Sequence, residues 1–145
     1  PALDLILLPG GIGTFTELEN VALLDFLKQR SATAQITASV CSGSAILAKA
    51  GLLDGKRATS NKMFFNLAVM QSDQVDWQTQ ARWVDDGNMV TSSGVSAGMD
   101  MSLAIIERLF GEEIALTIAN GAEYTWHRDA NIDPFAQYLN EGGIQ

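Results

Sequence analysis

Blocks of apolar and polar residues along the chain predict short buried strands that alternate with helices. Residues 3–8 are a nearly continuous apolar run, typical of a parallel strand covered on both faces. Residues 35–40 form a second short run with β-branched members. Helical patterns follow over about 14–29 and 42–53. This β-α-β-α order with short loops predicts a parallel sheet with helices on its faces.

The rest of the chain carries hairpin and helix signals. Residues 80–85 and 88–92 flank Asp86-Gly87, a dipeptide typical of β-hairpin turns. A short strand before Ser60 precedes this hairpin. Further helices are predicted at residues 62–70, 99–110 and 112–123. Because no linker or repeat interrupts these patterns, residues 1–145 are predicted to form a single domain.

The chain's one cysteine, Cys41, stands where the second strand gives way to a helix. Small residues at Ser39 and Gly43 would let the backbone turn tightly there, as in a nucleophile elbow with cysteine in place of serine. The helix N-terminus presents free N–H groups and partial positive charge, which favour a thiolate and stabilise a developing oxyanion. A single cysteine is often just a small buried hydrophobe, but this position favours a reactive role.

A glycine-rich loop, Pro9-Gly10-Gly11-Ile12-Gly13, follows the first strand and permits close approach of the backbone. Thr14 or Thr16 is a candidate cap for the helix after it. If the first two strands are neighbours, the loop and Cys41 meet at the carboxyl edge of the sheet, where ligand sites form. This arrangement predicts covalent catalysis with an oxyanion hole. The loop lacks the third glycine of a dinucleotide fingerprint, so no nucleotide cofactor is expected.

Composition narrows the function classes. The chain has 47% apolar and 18% charged residues, as in an ordinary soluble protein. Its net charge is -8 and its nine basic residues are scattered, which argues against nucleic acid or an anionic membrane as partner. One cysteine excludes an intrachain disulfide, and no metal-ligand cluster is visible. No signal peptide or membrane-spanning run is visible, so we expect a cytoplasmic protein with a small-molecule substrate.

Four motifs resemble the ThiJ/PfpI superfamily, a class I glutamine-amidotransferase-like group, in the order in which that group carries them. They are Leu7-Leu8-Pro9-Gly10-Gly11, Ser39-Val40-Cys41-Ser42-Gly43-Ser44, Gly51-Leu52-Leu53-Asp54-Gly55-Lys56-Arg57-Ala58-Thr59 and Ser93-Gly94-Val95-Ser96-Ala97-Gly98-Met99-Asp100. The branch resembled most closely includes isocyanide (isonitrile) hydratase and the amidotransferase-like domains of some AraC-type regulators. The resemblance implies a flavodoxin-like three-layer α/β/α sandwich with a mainly parallel sheet, usually dimeric.

The resemblance also implies roles for particular residues. Cys41 would be the nucleophile on the elbow, with oxyanion or substrate contacts from Gly10, Gly11 and Ser42. Ile12 and Asn61 are possible pocket residues. Asn61 could donate a hydrogen bond to a substrate or cap the following helix, and capping is the favoured interpretation. No cofactor or metal is implied.

Two departures from the superfamily limit what can be transferred. Members normally begin with a further β-α-β portion whose acidic residue pairs with the cysteine, whereas this chain opens directly on the strand at residues 3–8. We expect that portion to exist as a separate N-terminal fragment or to have been lost, which would leave a sheet exposed. Ser42 and Asn61 stand where several members carry histidine, so a Cys-His triad is not expected. His127 is expected at the surface or an interface.

The leading hypothesis is an isocyanide hydratase-like enzyme. Cys41 would attack the isocyanide carbon, and water would later release an N-formamide from the resulting thioimidate. The alternative enzymatic hypothesis is glyoxalase- or deglycase-like chemistry on α-dicarbonyls. A hypothesis of another class is a non-catalytic cysteine that senses oxidants or a ligand.

Overall fold

A computed structural model of the protein describes residues 1–142. The strands are β1 (Leu5–Leu8), β2 (Ile36–Ser39), β3 (Arg57–Ala58), β4 (Asp76–Trp77), β5 (Trp83–Asp86) and β6 (Met89–Ser92). Four of them form one sheet in the order β1-β2-β6-β5, in which β5 is antiparallel to β6 and the other pairs are parallel. The strands β3 and β4 pair separately, in parallel.

Helices cover both faces of the larger sheet. They are α1 (Thr14–Glu17), α2 (Val21–Ser31), α3 (Gly43–Lys49), α4 (Phe65–Val69), α5 (Val95–Phe110) and α6 (Glu112–Gly121), followed by a 3₁₀ helix at Pro134–Tyr138. On one face, Leu27 of α2 and Leu47 of α3 pack in a core with Ile6 of β1. On the other face, Met101 of α5 packs against Ile36 of β2. The predicted flavodoxin-like arrangement, with a mainly parallel sheet between helical layers, is therefore confirmed.

The two strands that were expected to carry the site are neighbours. Leu5 pairs with Ile36 and Leu8 with Ser39, in parallel register. The glycine-rich loop after β1 and the elbow after β2 therefore leave the same edge of the sheet side by side, because the carboxyl ends of parallel strands share one edge.

The strand β1 is at the edge of the sheet and is covered on one face. Its side chains alternate in direction, as in any strand, and Ile6 is buried in the core against α2 and α3. Leu5 and Leu7 point the other way and are 41% and 51% exposed. The face of β1 that carries Leu5 and Leu7 is therefore exposed.

Several element boundaries differ from the sequence predictions. The helix predicted over 14–29 is two helices, because Asn20 has extended backbone dihedrals and its Oδ1 accepts the N–H of Leu23 at 3.1 Å, so that it caps α2. Neither Thr14 nor Thr16 caps α1, whose N-cap is Gly13, without a side-chain bond. The helix α5 begins at Val95 rather than at residue 99. The short strand β4 was not predicted.

The remaining predicted helices are present and shorter than predicted, the one predicted at 112–123 by only two residues. The structure has Gly43–Lys49 for the pattern at 42–53 and Phe65–Val69 for that at 62–70. The hairpin prediction is confirmed, since β5 and β6 are antiparallel and Gly87 has the left-handed φ of 73° that such a turn requires. Among the helices of residues 1–142, none is long and apolar enough to cross a membrane.

Candidate active site

The backbone at Cys41 adopts a strained conformation. Its φ is 59°, in the left-handed region that non-glycine residues rarely occupy. The Cys41 N–H donates to the carbonyl of Ser93 at 3.0 Å, and the hydroxyl of Ser60 donates to the Cys41 carbonyl at 3.2 Å. Hydrogen bonds from two other segments thus hold the residue in a conformation of a kind that is concentrated at functional sites. The half-buried Cys41 side chain is the free thiol of this sharp turn between β2 and α3.

Two glycines allow the loop and the elbow to pack tightly. A Cβ atom on Gly43 would lie 2.7 Å from the Leu8 carbonyl oxygen, and one on Gly10 would lie 2.7 Å from the Ser42 nitrogen and Oγ. Gly43 is not among the glycines with positive φ. Its smallness therefore serves the close approach of α3 to β1, rather than the tight turn that the sequence suggested.

Ser42 connects the elbow to the glycine-rich loop. Its Oγ accepts the N–H of Gly11 at 3.1 Å and lies 2.8 Å from Oγ1 of Thr14. Both hydroxyl side chains are buried. The N–H of Gly11 is therefore engaged within the protein, whereas the backbone N–H of Ser42 makes no hydrogen bond within residues 1–142.

The side chain of Asn61 contacts the sulfur. Its Nδ2 donates to Sγ of Cys41 at 3.3 Å, and its Oδ1 accepts the N–H of Phe64 at 2.9 Å. The sequence left open whether Asn61 caps the following helix or donates in the pocket, and favoured capping. The N-cap of α4 is Phe64, without a side-chain bond, so Oδ1 of Asn61 holds the turn before α4 and its Nδ2 is the pocket donor. Asn61 occupies this place because the Ser60 hydroxyl ties the loop after β3 to the elbow.

These residues enclose a cavity of about 400 Å³ around Cys41. It is lined by Gly11, Ile12, Phe15, Cys41, Ser42, Asn61 and Phe64. None of these seven residues is aspartate, glutamate, lysine or arginine, so the cavity suits a neutral molecule. The structure thus brings together the predicted site residues except Gly10, which packs against Ser42 instead of lining the cavity.

Sequence reasoning missed Phe15 and Phe64. Both are exposed aromatic side chains beside the predicted loops. Exposure of large aromatics can mark a binding surface, but it cannot be read from a sequence. His127, half-buried, does not line this cavity.

A buried ionic cluster adjoins Asn61 through the next residue in the chain, Lys62. Its other members are Arg82, Asp100 and Asp133. Asp133 Oδ2 is 3.3 Å from Lys62 Nζ, and its Oδ1 is 3.3 Å from Arg82 Nη1. Arg82 Nε donates to Asp100 at 2.7 Å. Lys62 Nζ, with three N–H donors, also lies within hydrogen-bonding distance of four further oxygens, at 2.7 to 3.3 Å. Charged side chains are rarely so buried unless they are paired, and here each of them is.

Burial and pairing shift the pKa values in this ionic cluster. Burial lowers the pKa of Lys62 below its usual 10.5, although the charge of Asp133 opposes the shift. Burial alone would raise the pKa of Asp133, but hydrogen bonds from Ser93 and the Phe135 N–H, with the charge of Lys62, lower it below 3.8. The ionic cluster also borders a second cavity, of about 340 Å³, which shares Asn61 with the cavity around Cys41. No group of three or more metal-binding His, Cys, Asp or Glu side chains occurs in the described part of the chain.

Comparison with known proteins shows which family the chain resembles in sequence and structure. The model of the DJ-1/PfpI family matches residues 1–108. Isonitrile hydratase of Pseudomonas putida is 37% identical over 129 residues, which are 86% of this chain and 53% of that protein. The crystal structure of a ThiJ/PfpI family protein from Pseudomonas syringae is 36% identical with a TM-score of 0.73, over 85% of this chain and 50% of the other. A structure of Toxoplasma gondii DJ-1 described as oxidized is 29% identical with a TM-score of 0.67, over 85% and 65% of the two chains.

The match to the family model extends over both strands and both loops that form the cavity around Cys41. The chain spans about half the length of the hydratase and of the Pseudomonas syringae protein. The family model nevertheless covers most of the chain, and the shared sheet places the elbow cysteine beside the glycine-rich loop. The chain belongs to the DJ-1/PfpI family.

Proposed function

We propose that the protein hydrates an isonitrile to an N-formamide, with Cys41 as the nucleophile. The observation that carries the proposal is the strained Cys41, whose sulfur faces an uncharged cavity beside an amide donor. Isonitriles are neutral, so burying one in such a cavity leaves no charge unpaired. The 37% identity to an isonitrile hydratase supports this choice among small electrophiles.

The reaction balances with a thiol and one water. Sγ donates an electron pair to the terminal carbon of R–NC, one C–N π pair becomes a lone pair on nitrogen, and the carbon takes a proton, which yields the thioimidate R–N=CH–S. Water then adds to that carbon and nitrogen takes a proton. Breaking the C–S bond returns the electron pair to sulfur, which regains a proton and releases R–NH–CHO. Splitting the addition into two steps is the usual advantage of a covalent intermediate.

Ser42 and the glycine-rich loop have distinct roles in this proposal. The unengaged N–H of Ser42 is a donor for the oxygen that water brings to the carbon. The N–H of Gly11 donates to Ser42 Oγ, so it can donate to the substrate oxygen only after that hydrogen bond breaks. Gly10 lets the loop approach Ser42. The carbon takes the proton that the Cys41 thiol gives up, since the residues that line the cavity include no carboxylic acid.

The test compares isonitrile consumption and N-formamide formation by the wild-type protein, Cys41→Ala and Ser72→Ala. Ser72 is a matched control, because its hydroxyl bonds Asp54 and does not line the cavity around Cys41. We expect turnover to fall to background in Cys41→Ala and to persist in Ser72→Ala. Equal turnover by the wild-type protein and Cys41→Ala would refute the proposal.

Oxidant sensing by Cys41 is the second candidate function, and the similarity to an oxidized DJ-1 supports it. Stable mass increases of about 16 or 32 Da on Cys41, without turnover of any isonitrile, would favour it. Methylglyoxal serves as a further substrate in the same assay, and loss of methylglyoxal that is independent of Cys41 would rule out the α-dicarbonyl alternative. A homodimer and a cytoplasmic location remain predictions.

A further inference from the structure

We propose that Asn61 is a catalytic residue, whose Nδ2–H donates a hydrogen bond to the substrate nitrogen once Cys41 has added to the neighbouring carbon. The inference rests on the proposed isonitrile chemistry and deepens it. It assigns to Asn61 a task beyond holding the turn before α4, at the position where several superfamily members carry a titratable histidine.

The orientation of the amide is set by its other end. An asparagine side chain has one acceptor end and one donor end. The Phe64 N–H can only donate, and Oδ1 accepts from it at 2.9 Å. The NH₂ group must therefore face the sulfur, where Nδ2 lies 3.3 Å from Sγ. The Asn61 side chain thus presents a donor, rather than an acceptor, to the reacting atom.

The loop that carries Asn61 is held rigidly from both sides. On one side, the Ser60 hydroxyl donates to the Cys41 carbonyl at 3.2 Å. On the other side, Lys62 Nζ is buried among four oxygens and the Asp133 carboxylate. A donor that is already oriented costs little reorganisation when charge develops next to it.

Counting electrons shows that the substrate nitrogen is the atom that becomes a hydrogen-bond acceptor for Nδ2 during the reaction. The nitrogen of a free isonitrile has no lone pair, since all its valence electrons are in bonds. Addition of sulfur to the carbon turns one C–N π pair into a nitrogen lone pair, two bonds away from Sγ and within reach of Nδ2. The hydrogen bond therefore forms during the reaction and is absent when the substrate binds, which is the condition for accelerating the chemical step. The same bond polarises C=N for the attack of water.

The variant Asn61→Ser separates donation toward the substrate from the bond to the Phe64 N–H. A serine hydroxyl can also accept a backbone N–H a few residues on, so it can keep the bond to the Phe64 N–H, but serine has no amide and therefore removes Nδ2 from the sulfur. The matched control is Asn20→Ser. Oδ1 of Asn20 likewise accepts the N–H of the residue three positions later, Leu23. Asn20 does not line the cavity around Cys41.

The experiment measures kcat and KM for an aryl isonitrile, together with the rate of alkylation of Cys41 by iodoacetamide. For Asn61→Ser we expect kcat to fall about 100-fold, as when an oxyanion-hole donor is removed. The KM should change by less than about threefold, because the bond is not made in the ground state. Alkylation should fall far less than kcat, since it loses only the hydrogen bond from Nδ2 to Sγ and iodoacetamide places no new nitrogen lone pair beside the sulfur. Asn20→Ser should match the wild-type protein in all three measurements.

Each failure has a distinct signature. Wild-type turnover with an undiminished kcat in Asn61→Ser would overturn the role of Asn61 and leave the proposed function standing. Equal losses in kcat and alkylation would place the effect on the sulfur and overturn the nitrogen assignment. A wild-type protein that forms no N-formamide would overturn the proposed function, and the role of Asn61 with it.

Discussion

Replacing Asp133 with asparagine tests whether the buried ionic cluster stabilises the segment that carries Asn61. Asp133 belongs to the C-terminal segment, and its carboxylate lies 3.3 Å from both Lys62 Nζ and Arg82 Nη1. The introduced amide keeps an oxygen for the Phe135 N–H, which in the wild-type protein donates to Oδ1 of Asp133 at 3.1 Å. What the substitution removes is the negative charge shared by two buried cations.

The expected loss of stability is about 3 kcal/mol. Removing one partner of a buried ion pair typically costs about 3–5 kcal/mol, because a charge is left without compensation. The lower end applies here, since Arg82 keeps Asp100 at 2.7 Å and Lys62 keeps its four oxygen acceptors. For a chain of this length, a loss of 3 kcal/mol lowers Tm by about 6–12 °C.

The assay is unfolding by urea and by heat, with Asp85→Asn as the matched control. Asp85 accepts from Arg108 Nη1 at 2.9 Å, but both side chains are more than one-third exposed. The same chemical change there should cost less than about 1 kcal/mol. If the two variants lost equal stability, or if Asp133→Asn lost less than about 1 kcal/mol, burial would not be what makes the ionic cluster important.

The stability difference between the wild-type protein and Asp133→Asn should depend on pH in a direction set by the pKa shifts. The pKa of Asp133 is lowered in the folded protein, so its contribution is complete above the usual carboxyl value of 3.8 and is lost as the pH falls through the folded pKa. The pKa of Lys62 is also lowered, and loss of the Asp133 charge lowers it further. The stability of Asp133→Asn should therefore recover in part as the pH rises toward 10.5, above which Lys62 is deprotonated in the unfolded chain as well.

Three further predictions concern close packing, the cavity and association. Gly43→Ala should lower the free energy of unfolding in urea by about 2 kcal/mol, because its Cβ would lie 2.7 Å from the Leu8 carbonyl oxygen. The control Gly13→Ala, whose Cβ would have no atom within 4 Å, should change it by less than about 0.5 kcal/mol. Similar losses in the two variants would refute the packing explanation. Phe15→Ala should raise KM for an aryl isonitrile about tenfold with little change in kcat, since it removes apolar surface from the cavity; an unchanged KM would exclude Phe15 from the binding surface. Light scattering should give twice the chain mass, and a monomer would contradict the expected homodimer.

Most of the fold could be predicted because its signals are local. The apolar run at β1, the change from strand to helix at Cys41 and the Asp86-Gly87 turn each involve a few adjacent residues. Hydrophobic periodicity and turn chemistry report such neighbours directly. The division of the first predicted helix was missed although its signal was also local, since Asn20 is a strong helix cap.

The composition of the site could be predicted only in part. Cys41, Ser42 and Gly11 lie on adjacent strand ends, so the parallel order of β1 and β2 was enough to bring them together. The engagement of the Gly11 N–H by Ser42 Oγ could not be foreseen, because it depends on a side-chain rotamer and on loop packing. The close approach that requires Gly43 is also a property of packing, since its own φ is ordinary.

The sequence by itself determined the order of strands and helices, the cysteine at the turn and the glycine-rich loop beside it, because each follows from residues close together in the chain. Tertiary structure alone decided that the Asn61 amide meets the sulfur and that Asp133 pairs with Lys62 and Arg82. These contacts join segments far apart in sequence, and no local pattern records which side chains will face each other. They form because burying the sheet brings those segments together, where buried polar groups must find partners.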